Sequence, residues 1–118
     1  MRDKAMDAAQ PIALAPRDLL VLSVLATGPL HGYGIVRAVE ERAASGLPLD
    51  PANLHRVLRR MRRDGWIDEA EEADGEGRRR TYALTRTGLA VLRAEVERLD
   101  QLLREIRPAM AIHPRGGQ

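Results

Sequence analysis

The sequence predicts a mainly α-helical winged helix-turn-helix with one small β-hairpin and a long added C-terminal helix. Three observations carry this. Apolar residues recur at three- and four-residue spacing in four segments. Two β-prone runs, separated by a glycine-rich turn, lie between the third and fourth of those segments. Aromatic residues are only 3% of 118, with no Phe, so aliphatic side chains must build the core. That composition favours helices over an aromatic-rich β-sandwich, and the length allows one compact domain.

Residues 1–15 read as a loosely held N-terminal arm. Pro16 then opens a short buried helix carrying Leu19, Leu20, Leu22, Val24 and Leu25, stopped by Gly28-Pro29. A second helix is expected from His31 to Ala44, with Ile35, Val36 and Val39 inward. Gly32 and Gly34 lower helix propensity in its first turn, and close approach of a neighbouring backbone is the expected compensation. Asp50 caps a third helix with Pro51 at its first position, and Gly65 closes it. Residues 66–70 and 80–84 read as strands around Asp74-Gly75-Glu76-Gly77. Thr85 caps a last helix running to Arg107 before Pro108, about 33 Å at 1.5 Å per residue. The expected organisation is a DNA-binding domain over 16–84, a dimerisation helix over 85–107 and a disordered tail over 108–118.

Charge is segregated rather than large. The formal net charge is +2, every basic residue but Lys4 is Arg, and Arg56–Arg63 holds five arginines and no acid. Arg78–Arg80 is a second basic block, and between the two lies Asp68–Asp74 with five acids. Such separation suits a surface that meets a polyanion. The acidic stretch would repel phosphate, so it is expected either to face away from it or to shorten non-specific residence.

Several function classes are disfavoured. The absence of cysteine excludes a disulfide scaffold, a thiolate zinc site and a cysteine nucleophile. No run approaches the 18 apolar residues of a membrane span, and the N-terminus lacks the apolar region of a secretion signal. A cytoplasmic location is the expectation. The histidines (His31, His55, His113) are scattered, and neither a phosphate-cradling glycine loop nor an HExxH spacing occurs. Gly32-Tyr33-Gly34 lacks the preceding strand and third glycine of a dinucleotide fingerprint. The chain is expected to be no enzyme and to hold no cofactor or metal.

On a helical wheel, Leu54, Val57, Leu58 and Met61 of the third helix form one side. Asn53, Arg56, Arg59, Arg60 and Arg63 form the other, with His55 and Arg62 at the flank. Packed by its apolar stripe, this helix would present guanidinium groups to the major groove, which is about 12 Å wide. Asn53, His55 and Arg56, near the N-terminus, are expected to read bases, and Arg59 and Arg60 to stand between base and phosphate. Arg62 and Arg63 equally suit the negative end of the helix. Arg78, Arg79 and Arg80 would let the wing touch the DNA backbone or the minor groove, with Arg80 and Arg79 on opposite faces of the strand.

Leu89, Leu92, Val96, Leu99, Leu103 and Ile106 are spaced 3, 4, 3, 4, 3, the pattern of a two-helix seam. A second copy of the chain is the expected partner there, because the distal half would overhang a domain this small. Double-stranded DNA is then the second partner. The rival reading is a helical protein–protein interaction module whose winged helix does not read DNA.

Leu30-His31-Gly32-Tyr33-Gly34-Ile35 resembles the second-helix signature of the PadR-family transcriptional regulators. So do Leu54-His55-Arg56-Val57-Leu58-Arg59-Arg60-Met61, then Asp64-Gly65-Trp66-Ile67, and the run from Gly77 to Gly88. The resemblance spans about residues 16–105 and matches the short members with a single C-terminal helix. It implies a winged-helix dimer that represses transcription and is released by a signal, a hydrophobic small-molecule effector among the candidates. The chain departs from the family pattern at His55, commonly Tyr, and at Trp66, commonly Leu. Trp66 is read as core, with the wall of an effector cavity as the alternative.

Overall fold

The computed structural model describes residues 12–42, 50–74, 77–111 and 115, with the backbone alone for 72–74, 77 and 78. Helix α1 (Pro16–Leu25) starts at Pro16 with no side-chain cap. A two-residue strand, β1 (Leu30–His31), leads into α2 (Gly32–Arg42). Asp50 caps α3 (Pro51–Arg63), its Oδ1 accepting the Asn53 N–H at 2.8 Å. The helix ends where Gly65 adopts φ +79°, a left-handed conformation that costs a side-chain-bearing residue and costs glycine little. Strands β2 (Ile67–Asp74) and β3 (Gly77–Leu84) follow, then α4 (Arg86–Ile106) and a 3₁₀ turn over Arg107–Ala111.

The sheet is antiparallel with order β1-β3-β2, pairing Ile67 with Leu84, Glu69 with Tyr82 and Leu30 with Tyr82 on the other edge. It differs from the sequence expectation in three ways. The hairpin strands are longer, so the acidic stretch is strand rather than turn, and residues 75 and 76 lie outside the described residues. His31 belongs to a strand rather than to the second helix, whose expected end at 43–44 also lies outside the description. The β1 strand is too short to show alternation, and only its pairing with β3 defines it. At the C-terminus, residues through Ala111 are helical where a disordered tail was expected from 108; residues 112–114 and 116–118, and 1–11 of the expected arm, lie outside the description.

Every described α-helix and both long strands contribute to a single core. Val21, Leu22, Val24 and Leu25 of α1 meet Ile35 and Val39 of α2, Leu54, Val57, Leu58 and Met61 of α3, and Val91 and Leu92 of α4. Ile67 and Tyr82 close it from the sheet, and half-buried Trp66 packs against it, which is the core role. The backbone compression expected at Gly32 and Gly34 is absent: a Cβ there would meet only leucine side chains, at 3.9 and 3.5 Å. It occurs at Gly88 instead, where a Cβ would lie 2.1 Å from the Trp66 carbonyl oxygen.

One hydroxyl joins the end of α3 to the start of α4. Thr85 Oγ1 accepts the Gly88 N–H at 3.0 Å and donates to the Gly65 carbonyl at 2.6 Å, while the Thr85 N–H donates to Trp66 O at 3.0 Å. Further along α4, the fully buried Glu95 carboxylate takes two bonds from Arg98, at 2.8 and 2.7 Å, and the Leu14 N–H at 3.1 Å. These bonds hold its carboxyl below the usual range; the Arg98 hydrogen bonds lead, burial opposes them, and Leu14 reinforces them.

Candidate nucleic-acid interface

The apolar stripe of α3 is consumed by the core, and this fixes what faces outward. Leu54, Val57, Leu58 and Met61 are buried, while His55, Arg56, Arg59, Arg62 and Arg63 are exposed. The stripe is buried as the wheel places it, and three of the five residues it turns outward, Arg56, Arg59 and Arg63, are exposed. The wheel is wrong about Arg60, whose guanidinium turns back to the buried Asp18 carboxylate of α1. Arg60 is a tie between helices and not part of the free face. The long, flexible arginine stem lets a residue at the stripe's margin reach a neighbouring helix.

Asn53 is half-buried, and its Nδ2 donates to Asp50 Oδ2 at 3.2 Å. One of its amide protons therefore serves the helix cap.

On the wing, Arg79 and Arg80 are exposed, and the Arg78 side chain lies outside the described residues. Arg80 is engaged: its Nε stands 3.1 Å from Glu69 Oε2. The same carboxylate accepts Arg62 Nη1 at 2.8 Å. The acidic stretch thus does not face away as a whole. Alternation turns Asp68 and Ala70 outward and sends Glu69 between β3 and α3.

Between α3 and β3 runs an open cleft of about 540 Å³, lined by His31, Tyr33, His55, Arg79, Arg80 and Tyr82. Its lining brings β1 and the first turn of α2 beside the third helix. Tyr33 is 65% exposed, and the Arg37 guanidinium sits 5.8 Å from its ring centre. Sequence reasoning left His31, Tyr33 and Arg37 out of the candidate site. A signal was present: with Ile35 and Val39 inward, Tyr33 and Arg37 fall together on the outer face of α2, four residues apart. A second open cleft, of about 410 Å³ and mostly apolar, lies among Leu25, Pro29, Leu84, Thr85 and Leu89.

The expected seam along α4 divides in two. Leu92 is buried in the protomer's own core and Leu89 and Leu99 are half-buried, so the proximal part is already largely covered. Leu92 in particular is a core residue, because α4 lies across α1 before it leaves the body. From Asp100 to Ala111 every residue is exposed, including Leu103 at 45% and Ile106 at 44%. With Val96 upstream and Met110 downstream, both exposed, the open apolar stripe runs further toward the C-terminus than the sequence spacing had placed it.

Among the described residues no helix is long and apolar enough to cross a membrane, and no group of three or more His, Asp or Glu could hold a metal ion.

Comparisons with known proteins agree with this architecture. A PadR-family regulator from Clostridium difficile R20291 is 28% identical, with a TM-score of 0.64 over 81% of this chain and 95% of that one. One from Eggerthella lenta DSM 2243 is 26% identical, with a TM-score of 0.66 over 82% and 86%. A 37.1 kDa protein of transposon TN4556 from Streptomyces fradiae is 38% identical over 84 residues, 71% of this chain but only 23% of that protein. The model of the PadR-like transcriptional regulator family matches residues 21–94, from the first helix into the last. The chain belongs to the PadR-like family of transcriptional regulators.

Proposed function

We propose that this chain is a sequence-specific DNA-binding regulator that acts in the cytoplasm as a homodimeric repressor on an inverted-repeat operator. The observation that carries the reading is the exposed strip of Arg56 and Arg59 on the outer face of α3, beside His55 and the Arg79 wing. In this reading residues 16–84 bind DNA. His55, Arg56 and Asn53 meet base edges, and Arg59, Arg78 and Arg79 meet phosphates. Arg56 offers the planar fork that pairs with guanine O6 and N7. Tyr33 and His31 extend the same face toward the neighbouring backbone. No catalytic step is part of the reading.

A gel shift on the DNA upstream of the chain's own gene tests it. Arg56→Ala is expected to cost about 1–3 kcal/mol, a loss of roughly 5- to 150-fold, and to relax preference at one base pair. Arg59→Ala is expected to weaken all sequences alike and lower the slope of log affinity against log salt by about 0.9 per protomer. Binding unchanged in both variants would remove the recognition face and favour the protein-interaction module.

Residues 85–107 provide the second half of the proposal, with Val96, Leu99, Leu103 and Ile106 against a second copy, joined by Met110. Two recognition helices related by a two-fold axis would then meet half-sites about 34–36 Å apart. Leu103→Asp is expected to shift the sedimenting species from a dimer to the 13.1 kDa chain. It should do so without unfolding it, since Leu103 touches no part of the core. A variant that still sediments as a dimer would place the interface elsewhere. The apolar cleft at Leu25, Pro29, Leu84 and Leu89 is the proposed receptacle for a hydrophobic small-molecule effector, being next to the joint between α3 and α4.

A further inference from the structure

Glu69 stands where a phosphate would be expected. It is the acid among the residues lining a notch of about 100 Å³ between α3 and β3, where His55, Arg59, Arg62 and Arg80 supply the basic groups. Its side chain is 16% exposed, against 60% for Arg62 and 56% for Arg80. One carboxylate oxygen takes the Arg62 guanidinium and the other takes that of Arg80, so a single side chain bridges the third helix and the wing. The strand register makes this possible: Glu69 pairs with Tyr82, which puts Arg80 diagonally across on the same face.

We infer that Glu69 is a specificity-determining residue of the DNA face, an internal stand-in for a backbone phosphate that withholds Arg62 and Arg80 from random duplex. The inference rests on the DNA-binding reading above. Its energetics are those of exchange. The exchange swaps one partly exposed ion pair for another, and pairs of this kind are individually weak. Trading carboxylate for phosphate therefore gains little, and the displaced carboxylate would be left beside the polyanion. Non-specific binding consists almost wholly of phosphate contacts, so it loses most from the withholding. A fitted site retains its base contacts, and it gains from a wing already held at a set distance from α3.

The test compares operator-proximal DNA and random duplex of equal length in salt titrations. Glu69→Gln keeps the size and removes the charge. It is expected to tighten random duplex several-fold, to steepen its salt slope by about 0.9 for each arginine released and so by up to about 1.8 per protomer, and to lower the ratio of specific to random affinity. Adding Arg62→Ala to Glu69→Gln should return the slope toward the wild-type value. Glu69→Asp, which keeps the charge but retracts it by one methylene, should give a smaller change of the same sign. Random-duplex affinity and slope that stay level or fall in Glu69→Gln, with its melting curve intact, would overturn the inference and leave the DNA-binding reading standing. A wild-type protein that binds neither duplex at any salt concentration would overturn both.

Discussion

Replacing Gly88 with alanine is expected to lower the melting temperature by about 10–15 °C, the counterpart of roughly 3 kcal/mol in a domain of this size. Two opposing effects meet at this position. Alanine is the better helix former by about 1 kcal/mol, and α4 would benefit. The added Cβ, however, would lie 2.1 Å from Trp66 O and 2.9 Å from its carbonyl carbon, distances no carbon atom tolerates. Backbone, unlike the tip of a leucine, cannot swing aside. Withdrawing the Trp66 carbonyl also strains its bond from the Thr85 N–H, at the point where α4 is capped. The steric cost therefore exceeds the propensity gain. Gly34→Ala is the control, since a Cβ there makes ordinary contact with Leu30 at 3.5 Å and should leave stability level or slightly raised. Thermal melts at one fixed protein concentration decide it; an unchanged melting point for Gly88→Ala would mean that α4 can slide away from the hairpin.

Glu95→Ala is the second large effect, expected at about 2–3 kcal/mol. The carboxylate is fully buried, yet Arg98 reaches solvent through a side chain 37% exposed, so the loss falls below that of a completely enclosed pair. Truncation strands the Leu14 N–H, which has its bond to Glu95 at 3.1 Å. The same group makes stability depend on pH, with a definite sign. An unfolded chain's glutamate titrates at its ordinary value, about 4.3, whereas the folded carboxyl is held lower, chiefly by Arg98. Below the ordinary value the unfolded chain thus binds the proton first. The stabilisation is whole above that value and is lost as pH falls through the lowered one. Melting temperatures between pH 7 and pH 3 should therefore fall more steeply for the wild type than for Glu95→Gln; parallel curves would show that the carboxylate carries none of the acid sensitivity.

What could be read in the sequence follows the range of the interactions involved. The third helix was legible because its signals are local: Asp50 and Pro51 at the start, Gly65 at the end, and an apolar stripe between. Family membership was legible for a related reason, since its motifs are contiguous runs. Arg60 was misplaced because its partner Asp18 lies 42 residues away, on a helix whose orientation no periodicity specifies. Glu69 shows the same limit: five acids within seven residues look like one solvated block until the hairpin register sets Glu69 on the opposite face from Asp68. The compressed glycine was sought at Gly32 and Gly34, where propensity suffers, but only packing between the hairpin and α4 reveals Gly88. The seam's spacing was visible, and how much of it the protomer keeps for itself was not, because Leu92 becomes core only once α4 crosses α1.

The Thr85 hydroxyl has a mechanical consequence. By gripping Gly65 on one side and Gly88 on the other, it couples the end of the third helix directly to the start of the rod that projects from the body. A twist imposed far out on the projecting rod would then reach the third helix through this joint, as a key turns its bit. If two copies pair as proposed, the gap between their third helices would be governed by the angle at which the two shafts cross, so a change of a few degrees there would alter which spacing of half-sites the pair could span.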